Sequence, residues 1–183
     1  IIKNHDITEI NILKKKFSLY TNKLTFKPTG TTNLLIKSIA PLILKDKKKS
    51  NLLDLGTGSG VVAIALSNIR SNFNFFASDL SRPSCKLAEL NSKHNNKNII
   101  IKHGSLFSPL KNYKFDYIVN DVSGISSKLA RLSNWFENVP SNSGIDGTKL
   151  SLRIIKQSVK HLSDKGIFFS PLLFLSNEKK ILL

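Results

Sequence analysis

Cysteine, arginine and long hydrophobic runs are scarce in this chain. One cysteine, Cys85, excludes an intrachain disulfide, and four histidines without metal-ligand spacing give no indication of a metal site. No stretch approaches the roughly 18 consecutive apolar residues that a membrane span needs, and the first residues lack the order of a secretory signal. These absences predict a protein with no membrane partner and no metal, in the reducing cytoplasm.

Acidic residues are few as well. The 183 residues include 12 acidic and 28 basic ones, which gives a net charge of +16. Such a balance is typical of proteins that bind nucleic acid or the ribosome. The excess is almost entirely lysine, and arginine, the better phosphate ligand, occurs only at Arg70, Arg82, Arg131 and Arg153. Because abundant Lys, Ile and Asn also follow from an AT-rich coding sequence, charge alone leaves nucleic-acid binding open.

Short apolar runs alternate with helical periodicities along the chain. A first helix, starting near Thr31 and disturbed at Pro41, precedes a charged connector at residues 45–50. The predicted strands are Asn51–Leu55, Phe73–Ala77, Ile99–Ile101, Phe115–Val119 and Ile167–Leu175, and the predicted helices between them are Val61–Ile69, Ser81–His94 and Thr148–Leu162. Residues 164–166 are interpreted as the stop of the last helix. The pattern predicts one α/β domain with a mostly parallel sheet, helices on both faces and a ligand site at the carboxyl ends of the strands.

The segment from Leu52 to Val61 is the most informative one. It reads Leu-Leu-Asp-Leu-Gly-Thr-Gly-Ser-Gly-Val, a strand that runs into three alternating glycines and then a helix. Glycine permits a sharp turn and a close approach of a ligand to the backbone. A dinucleotide site prefers G-x-G-x-x-G, which would need glycine at Val61. Asp54 before the glycines also disfavours a pyrophosphate and suits a ligand with an amino group and a sulfonium.

This segment resembles the first motif of class I S-adenosylmethionine-dependent methyltransferases. The resemblance implies a Rossmann-like fold and S-adenosylmethionine as the cofactor. The family's second motif is an acid at the end of the next strand that binds the ribose hydroxyls, and Asp79 stands at that position. An N-cap role for Asp79 is the alternative, although Ser81 is the better cap candidate.

Further segments are similar to the HemK-type glutamine methyltransferases, the methyltransferase small domain family. They are the segment 26–32 before the first helix, the segment 103–107 after the third strand, the fourth strand Phe-Asp-Tyr-Ile-Val-Asn at 115–120, and the segment 143–147. In the third-strand segment Ser105 replaces an acid that would contact the adenine. The cofactor-binding residues that the resemblance implies are Thr32, Asp54, Gly56, Thr57, Gly58, Gly60, Asp79, Leu80, Ser105, Leu106 and Asn120.

The end of the fourth strand departs from that family. The family has Asn-Pro-Pro-Tyr, where Asn and a proline carbonyl accept hydrogen bonds from the target NH2 and the ring packs on it. This chain has Asn120-Asp121-Val122-Ser123. Asn120 and Asp121 are therefore the candidate catalytic residues, Asn120 as an acceptor of hydrogen bonds and Asp121 as a base or orienting group. Trp135 or Phe136 could supply a stacking surface, although core or lid packing is the favoured interpretation of both.

Residues 26–183 are expected to form the methyltransferase domain, with 1–25 as an N-terminal extension. The family's sheet has seven strands and five are found here, so the last two are expected to be absent. The predicted function is methyl transfer to an amide or amine nitrogen of a protein or RNA acceptor, one associated with translation or the ribosome. The alternatives are a non-catalytic protein that binds S-adenosylmethionine or RNA, and a nucleotide-dependent oxidoreductase, which Val61 disfavours.

Overall fold

The computed structural model describes residues 5–25, 27–122, 124–132, 143–172 and 177–182. An N-terminal hairpin precedes an alternation of strands and helices. The strands are β1 (Asp6–Ile12), β2 (Lys15–Thr21), β3 (Asn51–Leu55), β4 (Asn74–Asp79), β5 (Ile99–His103), β6 (Phe115–Asn120) and β7 (Leu162–Phe169). The helices are α1 (Gly30–Lys45), α2 (Val61–Ser67), α3 (Arg82–His94), α4 (Ser127–Leu132), α5 (Lys149–Ser158) and α6 (Glu178–Leu182), with a short 3-10 helix at Ser108–Leu110.

Strands β3 to β7 form a parallel sheet in the order β5-β4-β3-β6-β7. The chain moves outward in one direction from β3 to β5 and then crosses back to β6. The strand order therefore reverses between β3 and β6, which is where open α/β sheets bind ligands, outside the carboxyl ends of the strands. This architecture confirms the predicted α/β fold.

Hydrophobic clusters cover both faces of the sheet. Leu52 of β3 belongs to a cluster with Ile36 of α1 and Ile64 of α2. The next residue, Leu53, belongs to a second cluster, which contains Phe115 and Ile154 of α5. Successive side chains of a strand point to opposite faces, so a short apolar strand such as β3 contributes to both clusters.

The first helix differs from its prediction at Pro41. We expected a disturbance there, but α1 continues through Pro41 to Lys45. Pro41 is exposed, so water can bind the carbonyl that loses its intrahelical partner. Ile39 and Ile43 on either side are fully buried and hold both halves of the helix against the core.

The region around residue 160 also differs from its prediction. The predicted helix Thr148–Leu162 ends at Ser158, and residues 164–166, which we interpreted as its stop, lie inside β7. The Phe115 N–H donates to the carbonyl of His161 and draws Leu162 into register with Phe115. An irregularity follows before Ile167 pairs with Tyr117, and it accommodates Gly166. The polar segment is therefore a bulge in an edge strand.

The hairpin β1–β2 was not predicted. Its buried side chains alternate, with Ile12 and Leu19 in the core cluster shared with α1. Its turn residues, Leu13 and Lys14, both have positive φ, 55° and 62°. Asn91 of α3 fixes the hairpin because it accepts from the Tyr20 N–H at 2.7 Å and donates to the Tyr20 carbonyl at 3.0 Å.

Candidate functional site

A cavity of about 370 Å³ lies at the carboxyl edge of the sheet, where β3, β4 and β6 end. The sequence-predicted residues that line it are Thr32, Asp54, Gly56, Thr57, Gly58, Asp79, Leu80, Ser105, Leu106 and Asp121. Two predicted residues, Gly60 and Asn120, are not part of the lining. The parallel sheet brings segments from six places in the chain to one edge, as the strand order requires.

The glycine loop takes its shape from three positive φ angles, 73° at Gly56, 55° at Gly58 and 86° at Gly60. A Cβ on Gly56 would lie 2.2 Å from Cγ2 of Val122, so this glycine permits contact between the loop and the end of β6. A Cβ on Gly58 would meet only Thr25, at 3.7 Å, so this glycine leaves space at the cavity. A Cβ on Gly60 would lie 3.3 Å from the Cβ of Ala88, so this glycine allows α2 and α3 to pack closely.

Asp54 is the most buried acid of the site, with no exposed surface. Its Oδ2 accepts from the Thr57 hydroxyl at 2.7 Å and from the Ala63 N–H at 3.1 Å. Its Oδ1 has no partner among the described residues. Burial raises the pKa of Asp54 to about 7, although the two hydrogen bonds lower it, and the nearby carboxylates of Asp121 and Asp79 raise it further. The carboxylate is therefore prepared for a cationic partner.

Asp79 ends β4 beside the glycine loop. Its Oδ2 accepts from the Gly58 N–H at 2.9 Å, and its Oδ1 accepts from the Ser81 N–H at 2.8 Å. Burial raises the pKa of this carboxyl in spite of the hydrogen bonds. Ser81 caps α3 by accepting from the Ser84 N–H, as predicted, so Asp79 itself is not the cap. Each oxygen of Asp79 keeps a second lone pair for a ligand hydroxyl.

The end of β6 places its two candidate catalytic residues differently. Asn120 is 1% exposed; its Nδ2 donates to the Ser170 hydroxyl at 2.9 Å and its Oδ1 accepts from the Val122 N–H at 3.4 Å. Asp121 lines the cavity, and its Oδ2 accepts from the Thr32 hydroxyl at 2.6 Å. Burial raises the pKa of Asp121, and the bond from Thr32 lowers it. Ser123, Trp135 and Phe136 lie outside the described residues.

Several lining residues were not predicted as site residues. Leu24, Lys27 and Pro28 come from the segment before α1, and Leu150 and Arg153 come from α5. Sequence similarity around residues 26–32 could have indicated Lys27 and Pro28. No local signal distinguished Arg153, because its place at the cavity depends on how α5 packs against the sheet.

Two further properties bear on the kind of site. Among the described residues no cluster of three or more histidine, cysteine or acidic side chains could hold a metal ion. In the same part of the chain no helix combines the length and the apolar character that crossing a bilayer requires.

Comparisons with known sequences identify the family of this fold and cavity. Residues 29–121 match the family Methyltransferase small domain. The chain is 34% identical over 164 residues to the release factor glutamine methyltransferase of Buchnera aphidicola subsp. Schizaphis graminum, a match that covers 85% of the chain and 58% of the relative. It is 31% identical to the enzyme of the same name from Streptococcus pneumoniae, over 71% of the chain and 49% of the relative. The chain thus spans about half the length of the curated relatives it matches.

Solved structures that share this fold include methyltransferases. A 16S rRNA methyltransferase of T. Thermophilus, in complex with AdoMet and guanosine, superposes with a TM-score of 0.76 at 15% identity, over 98% of this chain and 45% of the other. A ribosomal protein methylase of Lactobacillus delbrueckii superposes with a TM-score of 0.55 at 23% identity, over 81% of this chain and 63% of the other. At these identities the likeness concerns the fold, and it confirms the Rossmann-like architecture.

Proposed function

The chain belongs to the methyltransferase small domain family, and from that premise we propose that it is an S-adenosylmethionine-dependent methyltransferase. It transfers a methyl group to an amide or amine nitrogen of a protein or RNA acceptor. The observation that carries this proposal is Asp54, a fully buried carboxylate in the cavity wall with one oxygen that no described residue hydrogen-bonds. A buried polar atom without a partner is costly, so a ligand with a cationic amino group fits at this oxygen.

The residues of the cavity fit S-adenosylmethionine. Asp54 would bind the amino group. Asp79, which has one free lone pair on each oxygen, would bind the two ribose hydroxyls. Gly58 leaves room for the ligand against the backbone, and Gly56 and Thr57 beside it also line the cavity. We assign Thr32 to the methionine end, Leu80, Ser105 and Leu106 to the adenine side, and Gly60 to packing behind the site.

When bound, S-adenosylmethionine supplies a methyl group on a positively charged sulfur. The protein's contribution is then to hold the acceptor nitrogen in line with that group, within about 3–3.5 Å. Asn120 and Asp121 at the end of β6 are the residues proposed for this task. Most of the rate comes from positioning and from the electrostatics of the carboxylates, without a covalent intermediate on the enzyme.

Two relatives are named release factor glutamine methyltransferases, which supports an acceptor connected with translation, in the cytoplasm. We propose residues 26–183 as the methyltransferase domain and 1–25 as an extension that contributes Leu24 to the cavity wall.

A non-catalytic protein that binds S-adenosylmethionine is the second candidate. Its support is the state of Asn120, which is buried with both ends of its amide engaged, together with the loss of Pro-Pro-Tyr after it. This candidate binds the same cofactor as the first and differs only because it transfers no methyl group to an acceptor.

Two measurements test the proposal. Calorimetry compares S-adenosylhomocysteine with NAD, and we expect binding of the first and none of the second. Transfer of a labelled methyl group into a cell extract, followed by separation of protein from RNA, then tests catalysis. Tight cofactor binding without label in any fraction would favour the non-catalytic protein, and NAD binding would contradict both candidates.

A further inference from the structure

We propose, on the premise of the proposed function, that Asp121 rather than Asn120 holds the reacting nitrogen. The acceptor that this residue selects is a protonated primary amine of a protein, a lysine side chain or an N-terminus, and not a neutral amide. The inference rests on the hydrogen bonds at the end of β6 and on the cavity into which that end opens.

Asn120 is committed to the fold. It is the last residue of β6, in register with Leu55 of β3, and its side chain is almost entirely buried. The amide N–H donates to the hydroxyl of Ser170, just after β7, and the amide oxygen accepts from the Val122 N–H. Both ends of the amide therefore stabilise the exit of the chain from the sheet. Asn120 is also absent from the cavity lining, so an acceptor that used it would have to reach a side chain that is 1% exposed.

Asp121 is oriented toward the cavity by a chain of hydrogen bonds from α1. The Thr32 hydroxyl receives the Thr29 N–H at 3.4 Å as part of the capping box. The hydroxyl proton of Thr32 is then directed to Oδ2 of Asp121 at 2.6 Å. Among the described residues only Thr32 hydrogen-bonds the carboxylate of Asp121, through Oδ2, and Asp121 lines the cavity. Thr32 is thus a positioning residue that fixes one carboxylate oxygen and leaves the other for a ligand.

The charges of the cavity favour a cation at that oxygen. Three carboxylates, those of Asp54, Asp79 and Asp121, line it, and the proposed cofactor contacts use the first two. The cations on its lining are Lys27 and Arg153. The Lys27 side chain is 64% exposed and lies 4.0 Å from Asp6, and Arg153 is exposed, so solvent screens both. A neutral amide would leave the charge of Asp121 unpaired in the cavity, whereas an ammonium forms the stronger, charge-assisted bond.

The same carboxylate can accept the proton that the reaction releases. Asp121 takes one proton from the ammonium, and the nitrogen lone pair then forms the new N–C bond. The C–S bond breaks with its electron pair on sulfur, so that the sulfonium becomes a neutral thioether. Burial, which raises the pKa of Asp121, improves it as a base for this step.

Binding of small probes tests the acceptor class without catalysis. Butylammonium matches a lysine side chain and propionamide matches a glutamine side chain, and both are titrated by NMR into protein loaded with S-adenosylhomocysteine. We expect the wild type to prefer butylammonium by at least about tenfold. Asp121→Asn should lose that preference while its affinity for S-adenosylhomocysteine stays within about twofold. Thr32→Val should reduce the preference for the ammonium, and Asp121→Glu should restore part of what Asp121→Asn loses.

The outcomes separate this inference from the proposed function. Equal or stronger binding of propionamide, or an unchanged preference in Asp121→Asn, overturns the amine assignment while the cofactor proposal stands. Absence of S-adenosylhomocysteine binding overturns the proposed function itself. In a parallel transfer assay, label on lysine or the N-terminus of acceptor peptides supports the assignment, and label on glutamine or on RNA overturns it.

Discussion

Asp46 and Asp116 lie at the amino edge of the parallel sheet, and Asp54, Asp79 and Asp121 lie at its carboxyl edge. At the amino edge the carboxylates serve the fold. Asp46 accepts from the Lys48 N–H, the Ser50 hydroxyl and the Tyr117 hydroxyl, and Asp116 accepts from the Asn51 N–H and the Ser163 hydroxyl. At the carboxyl edge Asp54 and Asp121 each keep an oxygen with no hydrogen bond from a described residue.

The pKa values differ in the same way. Burial works to raise the pKa of Asp46, but the three hydrogen bonds outweigh it and hold the pKa below its usual value. Burial dominates at Asp54, Asp79 and Asp121 and raises the pKa of each. The same residue type therefore stabilises the fold at the amino edge, whereas burial raises the pKa values of all three carboxyls at the carboxyl edge, as is typical of binding sites.

The largest expected effect lies at the amino edge. Asp46→Ala removes the acceptor of three donors, and we expect a loss of about 2–3 kcal/mol in the free energy of unfolding. Urea denaturation measures this loss, with Asp164→Ala, an exposed aspartate, as the control that should change little. The affinity of the folded variant for S-adenosylhomocysteine should stay the same. A weaker affinity would mean that the two edges are coupled and would break the comparison.

The next effect concerns cofactor affinity. Asp79→Ala removes charge-assisted hydrogen bonds to the ribose, so we expect affinity for S-adenosylhomocysteine to fall by about 10- to 150-fold, or roughly 1.5–3 kcal/mol. Asp116→Ala is the matched control, because Asp116 also accepts two hydrogen bonds but at the opposite edge. Calorimetry on both folded variants measures the affinity for S-adenosylhomocysteine, which should fall in Asp79→Ala and stay the same in Asp116→Ala. Equal affinity in wild type and Asp79→Ala would show that the ribose assignment is wrong.

The two edges also differ in how far sequence reveals them. The proposed cofactor-binding residues at the carboxyl edge lie close together in the sequence. Asp54, the three glycines and α2 follow one another, and Asp79 stands at the end of the next strand. The hairpin was missed because Leu13 and Lys14 adopt positive φ without the Asn or Gly that usually marks such turns. The position of Arg153 at the cavity and the hydrogen bond between Asn120 and Ser170 depend on contacts between elements that are distant in sequence. The periodicity of the sequence does not predict such contacts.

A smaller effect is the pH dependence that Asp54 imposes. Its folded pKa of about 7 lies above the ordinary value of 3.8, so the folded ligand-free protein holds the proton more tightly than the unfolded chain between these values. The free energy of unfolding therefore falls as pH rises from 3.8 to about 7 and levels off above. The affinity for a ligand with an amino group changes with pH in the opposite direction, because the amino group needs the ionised carboxylate.

We expect the affinity for S-adenosylhomocysteine to rise several-fold between pH 6 and 7.5, where Asp54 ionises. Asp54→Asn, which cannot ionise, should bind more weakly and with a flatter pH profile. Calorimetry at a series of pH values measures both proteins. A wild-type profile as flat as that of Asp54→Asn would show that Asp54 does not meet the amino group, and Asp79 and Asp121 would be the carboxylates to vary next.

The smallest effect tests whether the positive charge of the amino edge belongs to the site at all. Lys47, Lys48 and Lys49 lie in the connector that leads into the start of β3, at the edge opposite the cavity. If they contact RNA phosphates, replacing all three with serine should reduce the slope of log affinity against log salt by about 2, because each contact releases about 0.7 counterion from a single strand. The matched control replaces Lys14, Lys15 and Lys16 of the hairpin, a run of equal length.

Filter binding over a range of salt concentrations measures the slope, with and without S-adenosylhomocysteine. The cavity lies at the other edge, so the cofactor analogue should leave the slope unchanged. Equal reductions in both variants would indicate a diffuse charge effect, and a flat salt response in the wild type would leave coding bias as the explanation for the lysines.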